Sequence, residues 1–276
     1  MTADPPPARW PWRAALLLTY VGGLVALTAP AWWRPGLRAI GHPDSDVWRH
    51  LWGDAWFARE LGGSWPVPLS TDLLWFPDGG LLYNLDPLTG LAVWPLAPLV
   101  GLVTAHNLVQ LGALLAGAVA AYLLARRWFD GPAAAVAGAV YGFSAHLQGA
   151  VLASGIGETA HVAWIPLALL ALVRITDGGG WRWVPLGGVS LAVATIGSWY
   201  YGLVAGLAAV GWVVGWAARA LVARGRADAA QRRTPWIPIL ARLAATAALA
   251  GLVVMPFANA FRASLDPERA LHDVAL

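Results

Sequence analysis

Long apolar blocks separated by short polar turns fill most of this chain, and they are the wrong length for a soluble core. The first runs from Ala14 to about Trp33. Residues 107–125, 132–150, 157–173, 183–197, 200–218 and 243–257 follow as further candidates to cross a membrane. The run from Trp183 to Ala218 is about twice a membrane thickness, so it must fold back, and Gly197-Ser198-Trp199-Tyr200-Tyr201-Gly202 is the natural place. Leu88–Val103 is apolar as well, but Pro87, Pro95 and Pro98 interrupt it. That predicts a short, broken helix in the interface rather than a span.

One long polar stretch stands against this background, from Arg34 to about Pro87. It holds Asp44, Asp46, Asp54, Glu60, Asp72, Asp78 and Asp86, almost half of the 15 acidic residues. Within it, Val47, Trp48, Leu51, Trp52, Ala55, Trp56 and Leu61 recur at helical spacing. Arg49, His50, Asp54, Arg59 and Glu60 fall on the other face. The pattern predicts an amphipathic helix on the membrane surface, ended by Gly62-Gly63, with Trp48, Trp52 and Trp56 as its interfacial anchor.

Composition agrees with a polytopic membrane protein: 58% hydrophobic residues against 12% charged ones. All basic charge is arginine, and its placement sets orientation. With Leu88–Val103 kept in the outer interface, Arg126-Arg127, Arg174 with Arg182, and the cluster Arg219–Arg233 all fall on the cytoplasmic side. The expectation is an all-α bundle of about seven membrane helices with a large first outer loop containing juxtamembrane amphipathic helices. Residues 1–13 form a cytoplasmic tail, residues 14–260 the transmembrane domain with its outer loop at 34–106, and residues 261–276 an outer C-terminal tail. Ala29-Pro30-Ala31 also fits a signal-peptide cleavage site, but the length of the run and the pair Trp32-Trp33 favour a retained span. The net charge of +3 marks membrane orientation and not nucleic-acid binding. The absence of cysteine excludes a disulfide, thiolate zinc ligands and a thiol nucleophile.

Under this topology the polar residues at outer span ends gather on one side. They are His106 and Asn107, His146 and Gln148, Glu158 and His161, and Trp199, Tyr200 and Tyr201. Asp44-Ser45-Asp46 stands before the amphipathic helix. It reads either as a helix cap or as a carboxylate positioned to take a proton from a hydroxyl. Two carboxylates flanking a serine are also oxygen donors of the kind that Mg or Mn takes. Gly155-Ile-Gly157-Glu158-Thr159-Ala160 matches a dinucleotide glycine pattern only on paper, since no strand precedes it.

The arrangement resembles the GT-C superfamily of polyprenyl-phosphate-dependent glycosyltransferases, and more narrowly YfhO-like or mannosyltransferase-like bacterial membrane proteins. The residues carrying the likeness are Asp44-Ser45-Asp46, Trp75-Phe76-Pro77-Asp78-Gly79, Leu85-Asp86-Pro87-Leu88, Asn107, Tyr122–Arg126, Ala137–Ser144 and Ala163–Leu167. The resemblance implies sugar transfer from a lipid-phosphate donor at the outer face of the bacterial cytoplasmic membrane. Asp44 or Asp46 would be the base or metal ligand. Arg49, His50, His106, Asn107, Glu158, His161, Tyr200 and Tyr201 are the candidate substrate-binding residues, with membrane lipid and a polyprenyl-phosphate sugar as partners. The alternatives are a non-catalytic protein that binds or scaffolds envelope glycan or lipid assembly, and a transporter. Because the charges stay at span ends, surface chemistry is favoured over transport.

Overall fold

The computed structural model describes residues 10–63, 70, 71, 73, 80, 81, 86–226 and 236–264. Residues 1–9, 64–69, 72, 74–79, 82–85, 227–235 and 265–276 lie outside them, and with them Asp72, Asp78, the motif residues Trp75–Gly79 and Leu85, and most of the expected C-terminal segment 261–276. Among the described residues the regular structure is helical apart from one antiparallel pair of two-residue strands. These are β1 (Ser70–Thr71) and β2 (Gly80–Leu81), with Ser70 opposite Leu81. Five helical stretches are long and apolar enough to cross a membrane: Leu102–Ala125, Gly131–Ala153, Gly157–Thr176, Trp199–Ala223 and Trp236–Arg262. Trp12–Leu27 and Trp183–Gly197 are shorter apolar helices. The chain divides into two compact units, residues 1–163 with 257–276, and residues 164–256.

In the first unit, α1 (Trp10–Leu27) passes into α2 (Ala29–Trp32) at Thr28. The Thr28 hydroxyl donates to Leu24 O at 2.8 Å and accepts from Trp32 Nε1 at 2.9 Å, which holds the joint beside Pro30. The polar loop then forms α3 (Val47–Gly63), which ends at the glycine pair. The apolar stretch after Pro87 is broken, as its prolines require, into α4 (Pro87–Val93) and α5 (Ala97–Val100). Gly101 turns the chain into α6 (Leu102–Ala125).

Asp130 caps α7 (Gly131–Gly142) by accepting from Ala133 N at 3.0 Å. The next apolar block is not one α-helix. It breaks at Phe143, restarts at Ser144 as α8 (Ala145–Leu147), and widens into a π-helical turn over Gln148–Ala153. A 3₁₀ turn, Gly157–Ala160, follows. Such widened turns are frequent at functional sites.

Close packing of α7 on α6 depends on Gly138 and Gly142. A Cβ at Gly142 would lie 2.5 Å from the Ala118 Cβ, and one at Gly138 would lie 2.7 Å from Ala118 O. Small residues here let two apolar helices approach as their backbones allow. Gly142→Val should therefore lower stability by about 1–3 kcal/mol, by overpacking. Gly112→Ala, with nothing within 4 Å of its Cβ, should leave stability level or raise it. Thermal unfolding in one detergent decides it: equal shifts for both variants would refute the packing argument.

The second unit is built from α9 (Trp164–Thr176), α10 (Trp183–Gly197), α11 (Trp199–Arg226) and α12 (Trp236–Ser264) up to Pro256. The reversal falls at Ser198, whose extended backbone separates α10 from α11. Ile175, Val184, Trp216 and Ile239 form a core at one end of these helices. Of the later small-residue patterns, Gly202 meets Thr195, whereas Gly206, Gly211 and Gly215 face open space.

Candidate functional site

The polar loop collects its chemistry on the buried face of α3. That face carries Val47, His50, Leu51, Asp54, Trp56 and Phe57, and it packs against α4 and α6. This corrects the expected division of the helix. His50 and Asp54 point inward among apolar residues, while Trp48 and Trp52 are exposed. The three tryptophans therefore do not form one anchor, since Trp56 is buried. Two glycines make room. A Cβ on Gly90 would lie 2.5 Å from Phe57, and one on Gly155 would lie 2.7 Å from the Val47 Cβ. Gly155 has φ +64, so a side chain there would be strained as well as crowded. The glycine pattern at 155–160 is thus a packing device that seats the start of α3.

Three acid–imidazole contacts meet here. Asp54, fully buried, holds the His106 Nδ1 of α6 at 2.7 Å from its Oδ2. Asp86, also buried, caps α4 by accepting from Thr89 N at 3.1 Å and from the Thr89 hydroxyl, and lies 3.4 Å from His161 Nε2. The same imidazole nitrogen is 2.8 Å from Thr89 Oγ1. Buried His50 brings Nε2 within 2.9 Å of Glu158 Oε2, an ion-pair approach out of line for a hydrogen bond. Asp86 is the single described non-glycine residue with positive φ, 55°. A residue before proline resists that conformation, so the cap and the histidine must hold it there.

Burial pushes the Asp54 carboxyl up from its ordinary 3.8, and its bonds to His106 only partly oppose that. Burial acts on Asp86 too, but the His161 charge and the bonds from His161 and Thr89 together outweigh it, lowering that carboxyl to about 2. Two neighbouring acids are thus driven apart, one held ionised and one pushed towards holding a proton. Environments that separate two titrating groups in this way sort them into different acid–base roles.

The sign for stability follows from Asp54 taking up protons more readily when folded. Between pH 3.8 and its raised native value, stability falls as pH rises. Asp54→Asn should flatten that slope in unfolding-temperature measurements across pH. An unchanged slope would rule Asp54 out as its source.

At the rim the groups become accessible. Glu158 is 24% exposed, and its Oε1 lies 3.9 Å from Arg49 Nη2, which is also 3.9 Å from the Asp46 carboxylate. Asp46, Arg49, Glu158 and His50 therefore form one run from the surface inward. Asp44 stands apart: its side chain is 90% exposed and faces His42 at 3.8 Å. The Ser45 hydroxyl donates to His42 O, and none of these three side chains accepts an N–H from the first turn of α3 among the described residues.

Asn107 acts differently from its neighbour His106. It accepts from Ile40 N at 2.9 Å and donates to Arg38 O at 2.8 Å, clamping the loop to α6. Tyr200 and Tyr201 open α11 in the second unit, where Tyr200 is 82% exposed. Among the described residues no three His, Asp or Glu side chains are grouped to hold a metal ion.

Asp54, Asp86, Thr89 and Gln110 are the members that sequence reasoning missed. Gln110 is buried, and among the described residues neither of its amide atoms is hydrogen-bonded, nor are His50 Nδ1 and Asp54 Oδ1. A Cβ on Gly157 would lie 2.7 Å from Gln110 Nε2 and 3.3 Å from His50 Nδ1, so these atoms crowd one backbone turn. Unpaired buried polar atoms are costly and mark strain or function. A signal was present for Asp54, which shares the register of Val47, His50 and Leu51. Compared with known proteins, the chain matches no family model, no curated protein and no solved structure.

Proposed function

We propose that this chain is a GT-C-like membrane glycosyltransferase, moving a sugar from a polyprenyl-phosphate donor to an acceptor hydroxyl at the outer face of the bacterial cytoplasmic membrane. The topology proposed with it has seven spans and a cytoplasmic N-terminus. Its spans are the five long apolar helices and the two shorter ones, with α3, α4 and α5 in the outer loop. Helix α1 alone is short, but the stretch Trp10–Trp32 with its Thr28 joint is about 34 Å at 1.5 Å per residue, enough to cross.

The observation that carries the reading is Asp46 beside Arg49 at the mouth of a buried acid–imidazole cluster. Asp46 takes the acceptor hydroxyl proton. The acceptor oxygen bonds the anomeric carbon as the bond from that carbon to the phosphate oxygen breaks, and the lipid phosphate leaves with the electron pair. Arg49 offers a guanidinium to that phosphate. Glu158 and His50 position Arg49, and the buried pairs keep the wall of the site rigid.

The test is transfer of label from polyprenyl-phosphate sugars by purified protein in lipid, comparing wild type with Asp46→Asn, Glu158→Gln and Asp44→Asn. Loss in Asp46→Asn with retention in Asp44→Asn supports the assignment. Equal turnover in all variants rejects the loop as the site. Saturable retention of the donor lipid without turnover would instead support a binding or scaffolding role, which the exposure of Asp44 also suits.

A further inference from the structure

Of the three acid–imidazole contacts around α3, two are sealed. The side chains of His50 and His106 are each 1% exposed, and Gln110 is buried as deeply. His161 differs. Its ring keeps 11% of its surface exposed, while the Asp86 carboxylate behind it keeps none.

Hydrogen bonding fixes which His161 nitrogen is left over. Asp86 Oδ1 accepts from Thr89 N at 3.1 Å, and Oδ2 accepts from the Thr89 hydroxyl. That hydroxyl has one proton and gives it to the carboxylate, so towards His161 it can only accept. His161 Nε2, 2.8 Å away, must therefore carry the N–H. Nε2 is committed to the protein, and among the described residues nothing bonds Nδ1. Pinning one ring nitrogen sets the tautomer and frees the other for a ligand.

The anchor is held against backbone preference. Asp86 has φ 55° before a proline, and strained residues of this kind cluster at active sites and ligand clamps. His161 is delivered by the 3₁₀ turn Gly157–Ala160, whose Glu158 is 24% exposed. All of these groups belong to the first unit.

The chemistry of the free nitrogen selects the ligand. A bare Nδ1 accepts an O–H, and a protonated Nδ1 donates to the same oxygen, so a hydroxyl satisfies the ring in either state. A phosphate offers acceptors alone, and at His161 it would meet the carboxylates of Asp86 and Glu158. A sugar ring is neutral and carries several hydroxyls.

We propose that His161, anchored by Asp86 and Thr89, is a specificity-determining residue that bonds a hydroxyl of the donor's sugar through Nδ1. It rests on the sugar-transfer reading, and it supplies the contact that tells a sugar-bearing lipid from a bare one. Arg49 remains the group for the phosphate.

The test is retention of lipid by the full chain in bilayer nanodiscs, read by native mass spectrometry. Polyprenyl-phosphate mannose, glucose or galactose competes with bare polyprenyl phosphate. Wild type should prefer at least one sugar lipid, and His161→Gln should lose about tenfold of that preference, the scale of one hydrogen bond. A glutamine amide reaches where Nε2 stands, so this variant keeps the Thr89 bond. An asparagine amide stands where Nδ1 does, so His161→Asn should keep more of the preference than His161→Gln. No preference in wild type, or equal preference in wild type and His161→Gln, would overturn the contact. A larger loss in His161→Asn than in His161→Gln would also overturn it, since that order marks a structural role through Thr89. Label transfer measured in parallel separates the two readings. Preference without transfer keeps the sugar contact and rejects the transferase, whereas transfer with preference unchanged in His161→Gln does the reverse.

Discussion

His106→Leu should destabilise the chain by about 3 kcal/mol, the upper end of the cost of leaving a buried polar group without its hydrogen-bond partner. Among the described residues the imidazole is the one group bonded to Asp54 Oδ2, and the other Asp54 oxygen has no hydrogen-bond partner. Without it, the fully buried carboxyl escapes its desolvation cost only by taking up a proton, so the loss should grow from pH 5 to pH 8. Asp54→Asn removes the charge and should cost less. The double variant should lose less than the sum of the two single losses, by about 0.5–3 kcal/mol, because the two residues share one interaction. Unfolding midpoints in a single detergent measure all three. Strict additivity would mean that the pair, although 2.7 Å apart, contributes no coupling.

The second large effect is on turnover. Asp46→Asn should lower label transfer by about 10²–10⁴-fold, the usual contribution of a general base. The half-exposed carboxylate has little packing to lose, so the unfolding midpoint should stay put while activity falls. Glu158→Gln should lose less, because in the proposed mechanism Glu158 only places Arg49 and His50, and that loss should appear partly as a raised KM for the donor. Asp44→Asn should stay within a few-fold of wild type, since Asp44 faces solvent and His42 rather than the run of Arg49 and Glu158. An Asp44→Asn loss as large as that of Asp46→Asn would reverse the assignment of the two acids.

These expectations separate the two carboxylates of the first loop, which one-dimensional reading left equivalent. Both precede the same helix, two residues apart, and either answers to the resemblance. Their difference arises because Arg49 follows Asp46 by three residues on the helix and so returns to it, while Asp44 precedes the turn.

Much about this chain is decided by amino-acid order alone. Apolar runs must be helical in hydrocarbon, because no water is there to satisfy backbone N–H and C=O groups, so the all-helical character and the membrane-length helices follow from local composition. Proline chemistry likewise breaks the stretch after Pro87, and the turn at Ser198 follows from run length. What only tertiary structure decided is which polar residues meet. His50 and Asp54 looked solvent-facing when α3 was read as a helix on a membrane surface. They turn inward because Glu158 and His106, more than fifty residues away in the chain, supply partners. Asp86 looked like a loop acid beside a proline, yet His161 and the α4 cap hold it buried and left-handed. Local periodicity records how apolar each position is. A buried charge is tolerated only through a partner, and that partner is brought to it by the packing of α3, α4 and α6.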